Sequence, residues 1–127
     1  MNTKLTKTAA VLAFIIGAMA IFAGGQVALG KIMDYYVIDW LPIYNLIVGI
    51  ISAFFTAIVI WKGSQIAMPA AIATFFSHAA VMLIIQTANR DVVAPDSIMA
   101  MTVRMIVWLL IIILMIMQSR KYPSSAI

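Results

Sequence analysis

The chain has 127 residues, of which 65% are hydrophobic and only 9% charged. Soluble domains are about half apolar and about a quarter charged, so water is not the main solvent of this one. With no cysteine, one histidine and no glutamate, disulfides, thiolate metal sites and thiol redox chemistry are excluded, and little remains for acid–base catalysis. The net charge of +4 does not mark a nucleic-acid partner, because the basic residues flank apolar runs instead of forming a stripe. Basic flanks of this kind report topology in a membrane.

A bilayer core about 30 Å thick needs roughly 20 apolar residues as helix. Four segments qualify, at about 8–29, 41–61, 68–88 and 97–117, within a single membrane domain over 1–127. The expected fold is all-α, a bundle of four antiparallel transmembrane helices joined by short connections. The first segment follows Lys4 and Lys7 and contains Ala18-Met19-Ala20, features shared with a secretory signal. Its apolar run extends to Leu29, longer than a signal core, so a retained helix is expected. Ala9, Ala13, Gly17, Ala20, Gly24 and Ala28 put small residues on one face, where another backbone can approach. Gly49 lies on a similar line in the second segment with Asn45, Ser52 and Thr56. The two stripes are read as seams inside the monomer; the competing reading makes one of them a dimer interface.

Pro42 lies in the first turn of the second segment and Pro69 opens the third, where a missing N–H costs nothing. Pro95 precedes the fourth, with Asp96 or Ser97 expected as its cap, and Pro123 follows it. Lys4, Lys7, Lys62, Arg120 and Lys121 fall on one side. Lys31, Arg90 and all four acids (Asp34, Asp39, Asp91 and Asp96) fall on the other. The bias puts both termini in the cytoplasm and the Asp-bearing loops outside. Tyr35, Tyr36, Trp40 and Tyr44 suit the outer interface.

Arg104 is the residue that does not belong in lipid. It is expected about 10 Å below the outer end of its helix, leaning outward along it. An arginine at such depth costs about 2.5–3.5 kcal/mol on insertion scales, which polar partners would offset. Asn45, Gln26, Gln86, Asp39 and Asp96 are candidates at similar depth, with His78 deeper, and together they form an expected outer-half polar cluster. Two readings stand: a buried clamp that orders the bundle, or a site for an anion, carboxylate or headgroup. His78 is read as a hydrogen-bonded core residue with Ser77, Thr74 or Asn45 as partner. The ten methionines raise Cu(I), and Met101 and Met105 share a helix face, but methionine is also an ordinary packing residue. No metal or other cofactor is expected.

Gly24-Gly25, Tyr44-Asn45, Gly49, His78 and Ala100-Met101-Thr102-Val103-Arg104 with Trp108 carry a resemblance. On these residues the chain resembles a family of small bacterial four-helix integral membrane proteins with no assigned activity. Relatives tend to have Trp-Phe before the Asn, where this chain has Ile43-Tyr44. The resemblance implies the four-helix fold and a bacterial inner (cytoplasmic) membrane location, and brings no substrate. The chain also resembles small multidrug exporters in length and span number, but has no glutamate for their first span. The expected function is therefore non-enzymatic: an accessory, assembly or ligand-sensing component of the membrane. Its partners would be the lipid bilayer and either further copies of itself or a larger membrane complex. The alternative is a small transporter or channel subunit that moves an anion or weak acid past Arg104.

Overall fold

The computed structural model describes residues 4–121, and all of its regular structure is helical. Four helices are long and apolar enough to cross a membrane: α1 (Lys4–Ala28), α2 (Leu41–Trp61), α3 (Ala67–Thr87) and α4 (Pro95–Lys121). Helices of 21 residues reach about 32 Å at 1.5 Å per residue, enough for a hydrocarbon core. Lys4 and Lys7 lie inside α1, not ahead of it, because the helix continues past the apolar run. Pro123 lies outside the described residues.

Local chemistry sets the helix ends. Gly30 and Gly63 take φ of 105° and 67° just past α1 and α2, the left-handed region that glycine enters without a Cβ penalty. Beyond each helix the chain folds back: Lys31 N–H donates to the Gln26 carbonyl, and Ser64 N–H to that of Val59. These wide bonds satisfy carbonyls that a helix end would leave bare. At α4 the capping expectation is corrected. Pro95 is the first helical residue, and Asp96 and Ser97 lie within the first turn. The Ala94 carbonyl accepts from the N–H groups of Ser97 and Ile98. Proline's preset φ starts the helix, and Asp96 puts negative charge at its positive end.

The helices alternate in direction. Lys7 Nζ lies 3.8 Å from the centroid of the Trp61 ring, so the start of α1 meets the end of α2. Along this pair the backbones nearly touch. A Cβ on Gly17 would come within 2.7 Å of the Ala53 nitrogen, and one on Gly49 within 2.8 Å of the Gly17 carbonyl oxygen. One on Gly24 would strike the Pro42 carbonyl oxygen. Ala20 is buried on the same face of α1. Small residues thus let α1 and α2 pack inside the monomer by close van der Waals contact, the main attraction left between helices in lipid.

Residues Ile51–Thr56 of α2 form a π-helical stretch, seen in the Ala57 N–H bonding the Ser52 carbonyl five residues back. The wider turn brings two adjacent pairs, Ser52 with Ala53 and Thr56 with Ala57, into the interior. The core is layered. One apolar cluster includes Ala13, Ile60, Ala71, Trp108 and Ile111. A second, toward the end with two loops, joins Ile38, Leu41, Val81, Ile85 and Met101. Outside both clusters lie the buried polar side chains of Ser52, Thr56, Thr74, His78 and Arg104, together with the buried Ala20 and Ala53.

Gly49→Val should lower stability by about 2 kcal/mol, because overpacking against backbone cannot be relieved by a rotamer change. Gly25→Ala should be neutral or stabilising, since nothing lies within 4 Å of its added Cβ. Thermal unfolding followed by circular dichroism in detergent measures both, and equal midpoints for the two variants would contradict the close seam.

Candidate functional site

Arg104 is only 5% exposed. It lies nine residues into α4, about 13 Å from the start of the helix, deeper than expected because α4 begins at Pro95. Asn45 lies about 6 Å into α2 from the same end of the bundle. Helical side chains lean toward the N-terminus, so the long arginine stem spans that offset. Arg104 Nη1 donates to Asn45 Oδ1 at 2.5 Å. The acceptor is a neutral amide, and among the described residues no carboxylate pairs with the guanidinium.

A guanidinium has five N–H groups. No fully buried side-chain nitrogen or oxygen among the described residues lacks a partner. The nitrogens of Arg104 that do not bond Asn45 therefore reach open space. Arg104 lines a cavity of about 60 Å³ bounded by α1, the first loop, α2 and α4. A water takes about 30 Å³ in the liquid, so the enclosed space holds about two water-sized groups. Its polar lining is Arg104, Asn45, Ser97, Asp96 and Tyr35; Ala23, Val27, Leu41, Pro42 and Met101 supply apolar wall. Burial raises the Tyr35 phenol above its ordinary pKa, with the Asp96 and then the Asp34 carboxylates adding to the effect. The rim is thus negative while the floor is positive.

His78, 3% exposed, belongs to a second group. The Tyr44 hydroxyl lies 2.9 Å from His78 Nδ1 and 2.6 Å from Ser77 Oγ, and the tyrosine and imidazole rings meet edge-on at 5.8 Å. Of the expected His78 partners, Thr74 instead donates to the Ala70 carbonyl of its own helix, and Asn45 is taken by Arg104. Hydrogen bonds therefore divide the expected cluster into two neighbouring groups, with Arg104 still within electrostatic reach of Tyr44 and His78. Arg104, Asn45 and Asp96 share the cavity, whereas His78 sits across α2 with Tyr44 and Ser77. Gln26 joins neither and accepts from Lys31 Nζ at 2.7 Å. Gln86 is exposed and donates to Met82 Sδ; Asp39 is exposed as well. Sequence reasoning missed Tyr44, Tyr35 and Ser97 as members of these sites. The adjacency of Tyr44 and Asn45 was the available signal, since consecutive helical residues point about 100° apart and can serve two neighbours.

No group of three or more His, Cys, Asp or Glu that could hold a metal occurs among the described residues. Met101, one of the two methionines that share a helix face, is packed within the second apolar cluster. Fold and site together define a class: an all-α membrane protein with a buried cation at the floor of a small polar cavity. Compared with protein-family models, curated proteins and solved structures, the chain matches none.

Asn45→Leu should cost about 2–3 kcal/mol, the range for losing a hydrogen bond to a buried charged group. Tyr44→Phe should cost about 1–2 kcal/mol by leaving His78 and Ser77 without the hydroxyl. Chemical or thermal denaturation in detergent reads both; a fully stable Asn45→Leu would mean that the bond carries nothing.

Proposed function

We propose that this chain is a non-enzymatic multi-pass protein of a bacterial inner membrane that binds a small ligand in the Arg104 cavity. Its role is that of a ligand-sensing or accessory component. One observation carries the reading: Arg104 is almost wholly buried and lines a cavity, yet its hydrogen bond is to a neutral amide. Cations inside a membrane ordinarily pair with acids or with backbone carbonyls. Here the charge is oriented without being cancelled, so attraction remains for an incoming anionic group. Arg104 and Asn45 supply recognition, and nothing in the role requires bond chemistry.

The charge pattern supports an orientation with both termini cytoplasmic and the cavity facing the outer side. Lys4, Lys7, Lys62, Arg120 and Lys121 outnumber Lys31 and Arg90 at the opposite end. The transporter reading fares less well. A solute leaving the cavity for the other face would have to cross the layer of Ile60, Trp108 and Ile111, all fully buried.

Native mass spectrometry of gently extracted protein tests the reading. The wild type should retain a small molecule or lipid that Arg104→Gln loses while keeping its helical circular dichroism. A variant that fails to fold marks Arg104 as a structural clamp. Ion flux into liposomes abolished by Arg104→Gln would favour the transporter instead.

A further inference from the structure

The cavity carries both signs of charge. Arg104 lies at its floor and Asp96 at its rim, on the same helix and eight residues, or about 12 Å, apart along the axis. The arginine side chain leans toward Asp96 and closes part of that distance. Asp96 occupies the first turn of α4, where the helix dipole favours the ionised carboxylate. Between the two charges stands Ser97, a largely buried residue whose hydroxyl bonds no other side chain among the described residues and so keeps some exposed surface. Tyr35 faces the same space from the first loop.

This arrangement selects among anions. A simple anion drawn to Arg104 must pass and then sit near the Asp96 carboxylate, which repels it. A ligand with a positive group on a short link meets both charges favourably. The enclosed space takes about two water-sized groups, enough for an oxyanion at Arg104, while the rest of a short molecule or headgroup lies at the open rim beside the exposed Asp96. We infer that the Arg104 cavity receives a zwitterion, with its oxyanion on Arg104 and Asn45 and its ammonium on Asp96. The inference rests on the ligand-binding role proposed above and names the ligand class. Two sources share this chemistry, a free amino acid and the phosphoethanolamine headgroup of a lipid.

The test uses the full chain in micelles of an uncharged maltoside detergent, with β-alanine, propionate and propylamine as matched probes. Binding is read by the shift in thermal midpoint over a concentration series. β-Alanine should bind at least tenfold more tightly than either singly charged probe. Asp96→Asn, an exposed change at a helix start, should weaken β-alanine about tenfold and strengthen propionate, a sign reversal that a merely structural role would not produce. For the lipid source, native mass spectrometry should find phosphatidylethanolamine retained over phosphatidylglycerol by the wild type, and that preference lost in Asp96→Asn. Either arm showing this dependence on Asp96 supports the zwitterion and identifies its source. Propionate binding as well as β-alanine, with neither it nor lipid retention altered by Asp96→Asn, overturns the zwitterion but leaves an anion site at Arg104. If neither a probe nor a lipid binds the wild type, the ligand-binding role falls with it.

Discussion

A guanidinium inside a low-dielectric bundle must find acceptors, because water is not there to supply them. Asn45 Oδ1 is the acceptor that this fold brings to Arg104. The bond ties α2 to α4 at a depth where apolar contact gives helices little reason to associate. It also sets the charge of the site. An amide orients the guanidinium through a dipole but leaves the full positive charge in place. The cavity owes its character to that difference between being held and being neutralised.

The position of Asn45 depends on the neighbouring seam. Gly24 admits the first turns of α2 against α1, with the Pro42 carbonyl and the Leu46 nitrogen packed where a side chain would otherwise be. This close approach lets Ala23 and Val27 of α1 form one wall of the cavity opposite Ser97 and Met101 of α4. Further along, the seam of Gly17 with Gly49 and Ala53 leads directly into the π-helical stretch. Small residues thus act twice. They bring two helices together, and they leave room at one end of the pair for a polar pocket.

The layered interior separates two polar groups by one residue step. Tyr44 bonds Ser77 and His78 on α3, while Asn45 bonds Arg104 on α4. The first turns of α2 therefore link both neighbours through consecutive side chains. Apolar clusters lie toward either end of this layer, and the Arg104 cavity opens past the second of them. A polar layer gives the bundle a register, since sliding α2, α3 or α4 by a turn would strand a buried donor or acceptor.

Much of the fold is legible in the amino-acid order. Runs of apolar residues, interrupted by Pro42, Pro69, Pro95 and the glycines after α1 and α2, mark four helices, because lipid demands a length that composition reveals. The small-residue stripes are legible too, and so is the oddity of Arg104. The composition of the site is less so. Depth follows from counting residues along a helix, and by depth alone Gln26, Gln86 and Asn45 were equal candidates for Arg104. Which of them faces it depends on how each helix is rotated about its axis, and that rotation is set by side chains packing between helices. Sequence by itself determined four membrane-length helices and a charge placed inside one of them. Only the tertiary structure decided that Asn45 meets that charge, that Tyr44 turns instead to His78, and that a cavity opens beside the guanidinium. The physical reason is that hydropathy acts along one chain segment at a time, whereas a hydrogen bond between helices requires two segments to agree in depth and in angle together.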